Sequence, residues 1–206
     1  MTEFDERRFG LITGSKCSVL FPKKSAEVGQ RTYAKQLANQ LYFKYYDDIE
    51  TWQMGHGKDF EAEAYIYYKD RYDNSAIHKP EFALIGDCGG SADCIGDNEG
   101  ADFKCPTSLQ NWLEYLHEGI DDQQYHQAQM YMHLYKKEHW NVCAYLAEPI
   151  KLSDIGISYP VKSNQRMIIR RIDKEPGWDK KLDLATPKII EMRDQFLAVL
   201  TAHFKP

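Results

Sequence analysis

The spacing of apolar residues changes along the chain, and each change predicts an element. From roughly Arg31 to Lys44, Tyr33, Leu37 and Leu41 recur every fourth residue, the stripe of an amphipathic helix. A second helix is expected from about Lys58 to Arg71, with Phe60, Ala64 and Tyr67 at core spacing. The period then shortens. Glu81 to Cys88 reads as a strand, and Ser91 to Cys105 as a hairpin. Its turn, Gly96-Asp97-Asn98-Glu99-Gly100, is rich in residues that tolerate tight backbone angles. A long helix from Asp121 to Lys136 and strands at Val142–Ala147 and Met167–Ile172 follow. Thr186-Pro187 is expected to open a terminal helix, with Thr186 as N-cap and Pro187 in the first turn. Helices on both sides of a central, mostly antiparallel or mixed sheet make an α/β (α+β) sandwich. No repeat, low-complexity tract or Pro/Gly/Ser-rich linker interrupts residues 1–206, so one domain is expected.

Composition sharpens this only in places. Hydrophobic residues make up 43% and aromatics 13% of the 206 residues, which excludes a disordered chain. The net charge of -5 argues mildly against a nucleic-acid partner. It does not decide the matter, because a metal-dependent nuclease gathers carboxylates in its own site and the bound ion reverses their sign locally. The five cysteines include no C-x-x-C pair, so neither a disulfide framework nor a structural zinc site is expected. The opening MTEFDERRFG has no apolar core of a signal peptide, and no run is long enough to span a bilayer. A reducing cytoplasm, away from membranes, is the expected compartment.

The chemistry concentrates in the predicted hairpin. Side chains alternate along a strand, so Asp102 and Lys104 share one face while Phe103 points to the other. A hairpin turning near Asn98 sets Asp93 opposite roughly residue 103 and brings both carboxylates and the lysine into one neighbourhood. Asp93, Asp102 and the backbone carbonyl of Phe103 suit a hard cation such as magnesium. Lys104 is placed to orient or help deprotonate an attacking water. Taken alone, an Asp-x-Lys tripeptide is also common on exposed polar strands.

Five segments, in order, resemble the phage lambda exonuclease (viral recombinase) family of the PD-(D/E)XK nuclease superfamily. Arg8-Phe9-Gly10-Leu11-Ile12-Thr13-Gly14-Ser15 is similar to the family's R-x-G-x-I-T-A-S opening, and Gly57-Lys58-Asp59-Phe60-Glu61 to its helical G-x-x-x-E. Ser91-Ala92-Asp93 stands where the family has S-P-D-G, and Asp102-Phe103-Lys104-Cys105-Pro106 where it has E-x-K-C-P. Tyr125-His126-Gln127-Ala128-Gln129 resembles its Y-x-x-Q-x-Q helix, displaced by one position. Ala92 replaces a proline, Cys94 a glycine and Asp102 a glutamate, and Leu109 and Gln110 stand where the family carries an arginine.

The resemblance implies a restriction-endonuclease-like core and a metal-dependent 5′→3′ exonuclease acting on linear double-stranded DNA. It would leave 3′ single strands for a single-strand annealing protein in phage-type recombination. Magnesium is the implied ion, with manganese as substitute, and a homotrimeric ring the implied assembly. Glu61, otherwise readable as a solvated helix residue, becomes a third metal ligand. Gln127, in preference to Gln129, becomes a catalytic residue. Arg8, Ser15 and Ser91 become candidates for gripping a 5′-phosphate, since arginine offers a rigid fork of donors and serine completes a cradle. Ser15 could equally cap a helix. Lys23, Lys24, Arg31 and Lys35 form a local basic cluster suited to a duplex track or to a solvated face. His56, His78, His126 and His133 lack the spacing of a zinc site, and Trp112, Trp140 and Trp178 are expected in the core or at a subunit contact. The competing readings are a structure-specific or repair endonuclease of the same superfamily, and a non-catalytic DNA-end-binding protein.

Overall fold

The computed structural model describes residues 6–22, 27–45, 51–147 and 161–205. Its strands are β1 (Ile12–Thr13), β2 (Ile77–His78), β3 (Ala83–Ile85), β4 (Cys88–Gly90), β5 (Cys94–Ile95), β6 (Glu99–Lys104), β7 (His139–Tyr145) and β8 (Met167–Asp173). The helices are α1 (Glu27–Phe43), α2 (Trp52–Arg71), α3 (Leu109–His117), α4 (Asp122–Tyr135) and α5 (Trp178–His203). A 3-10 segment, Gly14–Leu20, follows β1.

The strands form two sheets rather than one. A three-stranded sheet has the order β1-β4-β3, and a five-stranded sheet the order β2-β5-β6-β7-β8. Both are mixed. β1 runs parallel to β4, and β6 parallel to β7, while the other pairs are antiparallel. A parallel pair needs a crossover, and the one between β6 and β7 carries α3 and α4. That crossover brings α4 back over the face of β6 that holds the candidate lysine.

Several expectations change. The strand expected at Glu81–Cys88 is a hairpin, with Ala83 paired to Gly90 and Ile85 to Cys88. Gly86 turns it with φ +58°, a left-handed angle that glycine adopts without strain. The terminal helix begins at Trp178, not at Thr186, and Pro187 lies inside it. Trp178, Leu182, Ala185, Ile189, Met192 and Phe196 keep a single stripe against the core across the proline. Burying Trp178 and Leu182, at roughly 1.5–3 kcal/mol per large apolar side chain, outweighs the about 3 kcal/mol that a mid-helix proline costs. Helix α3 was not anticipated, although Ser108 caps it by accepting from Asn111 N and Leu109, Trp112, Leu113 and Leu116 carry helical spacing.

Two apolar cores lie on either side of β6. Ala101 and Phe103 face α2, where Phe103 meets Tyr68 edge-on at 5.7 Å between ring centroids. The other face looks toward a larger core with Tyr131, Trp140, Val142 and Trp178. All three tryptophans expected inside are buried. The five cysteines are free, four of them buried and Cys105 half-buried. Among the described residues no helix is long and apolar enough to cross a membrane.

Candidate active site

The β5–β6 register pairs Cys94 with Ala101 and Ile95 with Gly100. One further step sets Asp93 against Asp102, one residue short of the partner expected from the turn. The difference matters, because directly opposed residues share a face, and a one-residue slip would have put Asp93 on the side of Phe103. The slip arises in the turn, which closes tightly through Gly96 N donating to Glu99 O. Gly96 and Gly100 are required by what packs on them. A Cβ at Gly96 would stand 1.7 Å from Asp73 Oδ2, and one at Gly100 2.2 Å from Trp140 Cζ3.

The result is a pair of facing aspartates with one lysine beside them. Asp93 Oδ2 accepts a hydrogen bond of 2.6 Å from Phe103 N. Asp102 is only 1% exposed, and its Oδ2 and the indole Nε1 of the neighbouring Trp140 are both buried without a well-formed hydrogen bond. Burial, then repulsion from Asp102, pushes the Asp93 carboxyl up to about 8, against the pull of Lys104. Burial also raises Asp102, with Lys104 and the neighbouring Trp140 side chain opposing. For Lys104 burial alone would lower the ammonium, but Asp102 and Asp93 more than offset it and hold the group above the ordinary lysine value. Two carboxyl groups thus share one ammonium, and without a cation the site retains a proton up to about pH 8.

An open cleft of about 640 Å³ reaches this group, lined by Gln53, Lys58 and Glu61 of α2, by Asp93, Phe103 and Lys104, and by Asn111, Glu114 and Tyr115 of α3. Glu61 comes from α2, and its Oε1 lies 3.1 Å from His78 Nε2 and 3.3 Å from Lys79 Nζ. Gln127, on α4, accepts at 3.4 Å from Lys104 Nζ. Gln129 is committed elsewhere, donating to Asp173 O and accepting from Glu175 N. Asn111, Glu114 and Tyr115 were not singled out in the sequence, because their helix was missed. His78 and Lys79 were also missed as members of the site, having no spacing relation to the Asp-x-Lys motif.

The segments that carry the residues considered for a 5′-phosphate meet at Tyr131. The parallel β1–β4 pairing sets Thr13 beside Gly89. Just beyond it, Gly14 and Gly90 flank the Tyr131 ring, where an added Cβ would approach Cε1 to 2.9 and 2.8 Å respectively. The Gly14 that departs from the family's alanine thus makes room for a tyrosine. Burial raises the Tyr131 hydroxyl pKa; its other influences include Asp102, Gln127, Asp93 and Arg8, so this ring links the Arg8 side to the aspartates. Ser91 Oγ is buried without a hydrogen-bond partner, two residues before Asp93. Ser15 lies inside the 3-10 segment rather than at its cap, which is Thr13, and its Oγ is 3.5 Å from Thr13 Oγ1. Of the basic cluster, Lys23 and Lys24 lie outside the described residues. Arg31 and Lys35 both stand over the Phe196 ring, at 5.0 and 5.3 Å.

Searches against known proteins bear on this geometry. No protein-family profile matches the chain, and no curated protein matches it in sequence. Solved structures do match in three dimensions. An alkaline exonuclease from Laribacter hongkongensis superposes with a TM-score of 0.76 at 17% identity, covering 98% of this chain and 97% of that one. A phage-related exonuclease from Haemophilus somnus 129PT gives a TM-score of 0.77 at 14% identity, over 92% of this chain and 96% of the other. The chain shares its fold with these two exonucleases. The Laribacter enzyme has also been solved with dAMP, again at a TM-score of 0.76 and 17% identity. At these identities an exonuclease fold is shared while most side chains differ, so the chemistry rests on the residues described above.

The donor set fits a hard divalent cation. Asp102 Oδ2 is a buried acceptor without a well-formed hydrogen bond, and the raised carboxyls of Asp93 and Asp102 mark negative charge in need of compensation. Among the described residues no three His, Cys, Asp or Glu side chains converge into a complete metal cage. A divalent ion beside the aspartates would be completed by water or substrate phosphate oxygens.

Proposed function

We propose that this chain is a magnesium-dependent exonuclease that degrades one strand of linear double-stranded DNA from the 5′ end and leaves a 3′ overhang. The observation that carries the reading is the Asp93–Asp102 pair, Asp102 buried and Asp93 half-buried, with Lys104 at an open cleft, on a fold shared with exonucleases. Asp93, Asp102, Glu61 and the Phe103 carbonyl would hold the ion, with manganese as a substitute. Bound there, a divalent cation supplies Lewis-acid stabilisation of charge on the scissile phosphate and acidifies coordinated water.

The protein's own groups do the rest. Lys104 is kept charged by the two aspartates, so it acts as a hydrogen-bond donor that orients water and stabilises developing negative charge. Gln127 accepts from its ammonium and limits where it can point. Arg8, with Ser15 and Ser91, grips the terminal 5′-phosphate and converts end binding into orientation of the next phosphodiester. The dAMP bound by the Laribacter enzyme is a mononucleotide, the size of product that stepwise digestion releases. The family resemblance adds a homotrimeric ring and a single-strand annealing partner to the proposal. A ring also supplies a reason why a chain of net charge -5 could stay on DNA, since topology then replaces bulk attraction.

Linear duplex labelled separately at each terminus, incubated with and without magnesium beside a covalently closed circle, tests this reading. The expected result is loss of the 5′ label with magnesium only and an intact circle. Cutting of the circle at a comparable rate would favour the endonuclease, and intact linear DNA the non-catalytic end-binding protein.

A further inference from the structure

We propose that His78 and Lys79 are positioning residues that clasp Glu61 of α2 to the strand carrying Asp93 and present one Glu61 oxygen to the metal. The proposal rests on the reading of Glu61 as a ligand and adds the device that aims it. Glu61 sits on a helix and Asp93 immediately before β5, with β2, β3 and β4 lying between them in the chain, so their carboxylates have no covalent reason to keep a fixed separation.

Residues 78 and 79 bridge that gap from both sides. His78 is in β2 and pairs with Cys94, immediately after Asp93. Lys79 N donates to the backbone carbonyl of Asp93 at 2.8 Å, which ties the segment to the strand. Toward the helix, His78 Nε2 and Lys79 Nζ both contact the same oxygen of Glu61, Oε1, at 3.1 and 3.3 Å. The His78 ring is itself held flat on Tyr65 of α2, one helical turn beyond Glu61, with centroids 4.5 Å apart and planes 10° off parallel. Gripping Oε1 alone leaves Oε2 as the atom for an ion and fixes the rotation of the carboxylate. Outer partners of metal-binding carboxylates commonly act in this way.

The backbone supports a role beyond packing. Lys79 has φ +49°, a left-handed conformation that residues other than glycine, asparagine and aspartate seldom adopt. It also precedes Pro80, whose ring restricts the preceding residue further. Such strain persists where the surroundings over-determine a conformation, and it clusters at functional sites. Here the amide to Asp93 and the ammonium to Glu61 are what hold it.

The test reads metal binding directly, without DNA. Free Mn²⁺ is followed by electron paramagnetic resonance during titration of the wild-type protein, Lys79→Met, His78→Ala and His78→Gln. The clasp predicts about tenfold weaker Mn²⁺ binding for Lys79→Met and for His78→Ala, the low end of the usual outer-partner effect. His78→Gln, which retains an N–H donor, should recover most of the loss. Plain electrostatics predicts the opposite for Lys79→Met, since removing a nearby positive charge should tighten cation binding. Unchanged or tighter binding by Lys79→Met therefore overturns the clasp, as does a wild type that takes up no Mn²⁺. His78→Ala also removes the stack on Tyr65, whereas Lys79→Met leaves that stack and β2 intact and carries the test if the histidine variant unfolds. Linear-duplex cleavage is measured in parallel: a wild type that binds Mn²⁺ yet cuts nothing refutes the nuclease reading and leaves the clasp to be judged on the titrations.

Discussion

Replacing Asp102 by asparagine should make the metal-free protein more stable while abolishing cleavage. In the metal-free site two carboxyl groups face one ammonium, and Asp102 Oδ2 is buried without a well-formed hydrogen bond. Asp102→Asn leaves Asp93 and Lys104 as a one-to-one pair, and the new amide can donate to Asp93. Relieving an unsatisfied buried acceptor is worth about 1–3 kcal/mol, and each kcal/mol moves the midpoint of a domain this size by about 2–4 °C. The pH dependence has a definite sign. Asp93 lies near 8 and Asp102 is also raised, both above the roughly 3.9 of an unfolded aspartate. The folded wild type therefore binds more protons than the unfolded chain between those values. The contribution of this pair to stability is full below about pH 4 and is lost as pH rises toward about 8, so the advantage of Asp102→Asn should be small at pH 4 and open with pH. Divalent metal should reverse the order. An ion at a hundredfold its Kd stabilises the wild type by about 2.7 kcal/mol and should hardly move the variant. Thermal denaturation of both proteins in chelator and in excess magnesium or manganese, at pH 5 and pH 8, with duplex cleavage alongside, decides the matter. A variant less stable than wild type in chelator at pH 8 would make Asp102 a structural acceptor, and undiminished cleavage would remove it from the metal site.

Three further outcomes are expected. Lys104→Ala should still bind DNA and metal but turn over at least about a hundredfold slower in single-turnover assays, the usual scale for losing a water-orienting or charge-stabilising group; near-normal turnover would reduce the Asp-x-Lys motif to coincidence. Arg8→Ala should lose most of the wild type's preference for 5′-phosphorylated over 5′-hydroxyl duplex, compared by initial rates, and equal wild-type rates on the two ends would remove the phosphate grip altogether. Gly14→Ala should destabilise the fold by about 1–3 kcal/mol, an overpacking cost, because its Cβ would stand 2.9 Å from Tyr131 Cε1; denaturant titration with an unchanged midpoint would show that the ring moves aside freely.

Much of the site could be read in the sequence because it is local. Alternation on β6 puts Asp102 and Lys104 on one face and Phe103 on the other, and only the pleat is needed to say so. The Gly-Asp-Asn turn announces a hairpin that returns Asp93 to the same place. The stripes of α1 and α2 were visible because each buries one face, at Tyr33 and Leu37 and at Ala64 and Tyr67. Tertiary structure decided whatever depends on packing between distant segments. Pro187 reads as a helix start until Trp178 and Leu182 are seen to need the same buried stripe. Asp93 and Asp102 come face to face only in a register set one residue away from the count across the turn. Gln127 meets Lys104 only because the parallel β6–β7 pair forces a crossover that lays α4 over it. Gly14 and Gly90 are conformationally ordinary until Tyr131 fills the space between them. His78 and Lys79 carry no periodic or motif signal, since what makes them notable is one shared oxygen of Glu61, 17 residues from His78 along the chain and 3.1 Å away in the fold. Local pattern is written in the order of residues, whereas the partner of a buried charge is chosen by the whole chain when it closes.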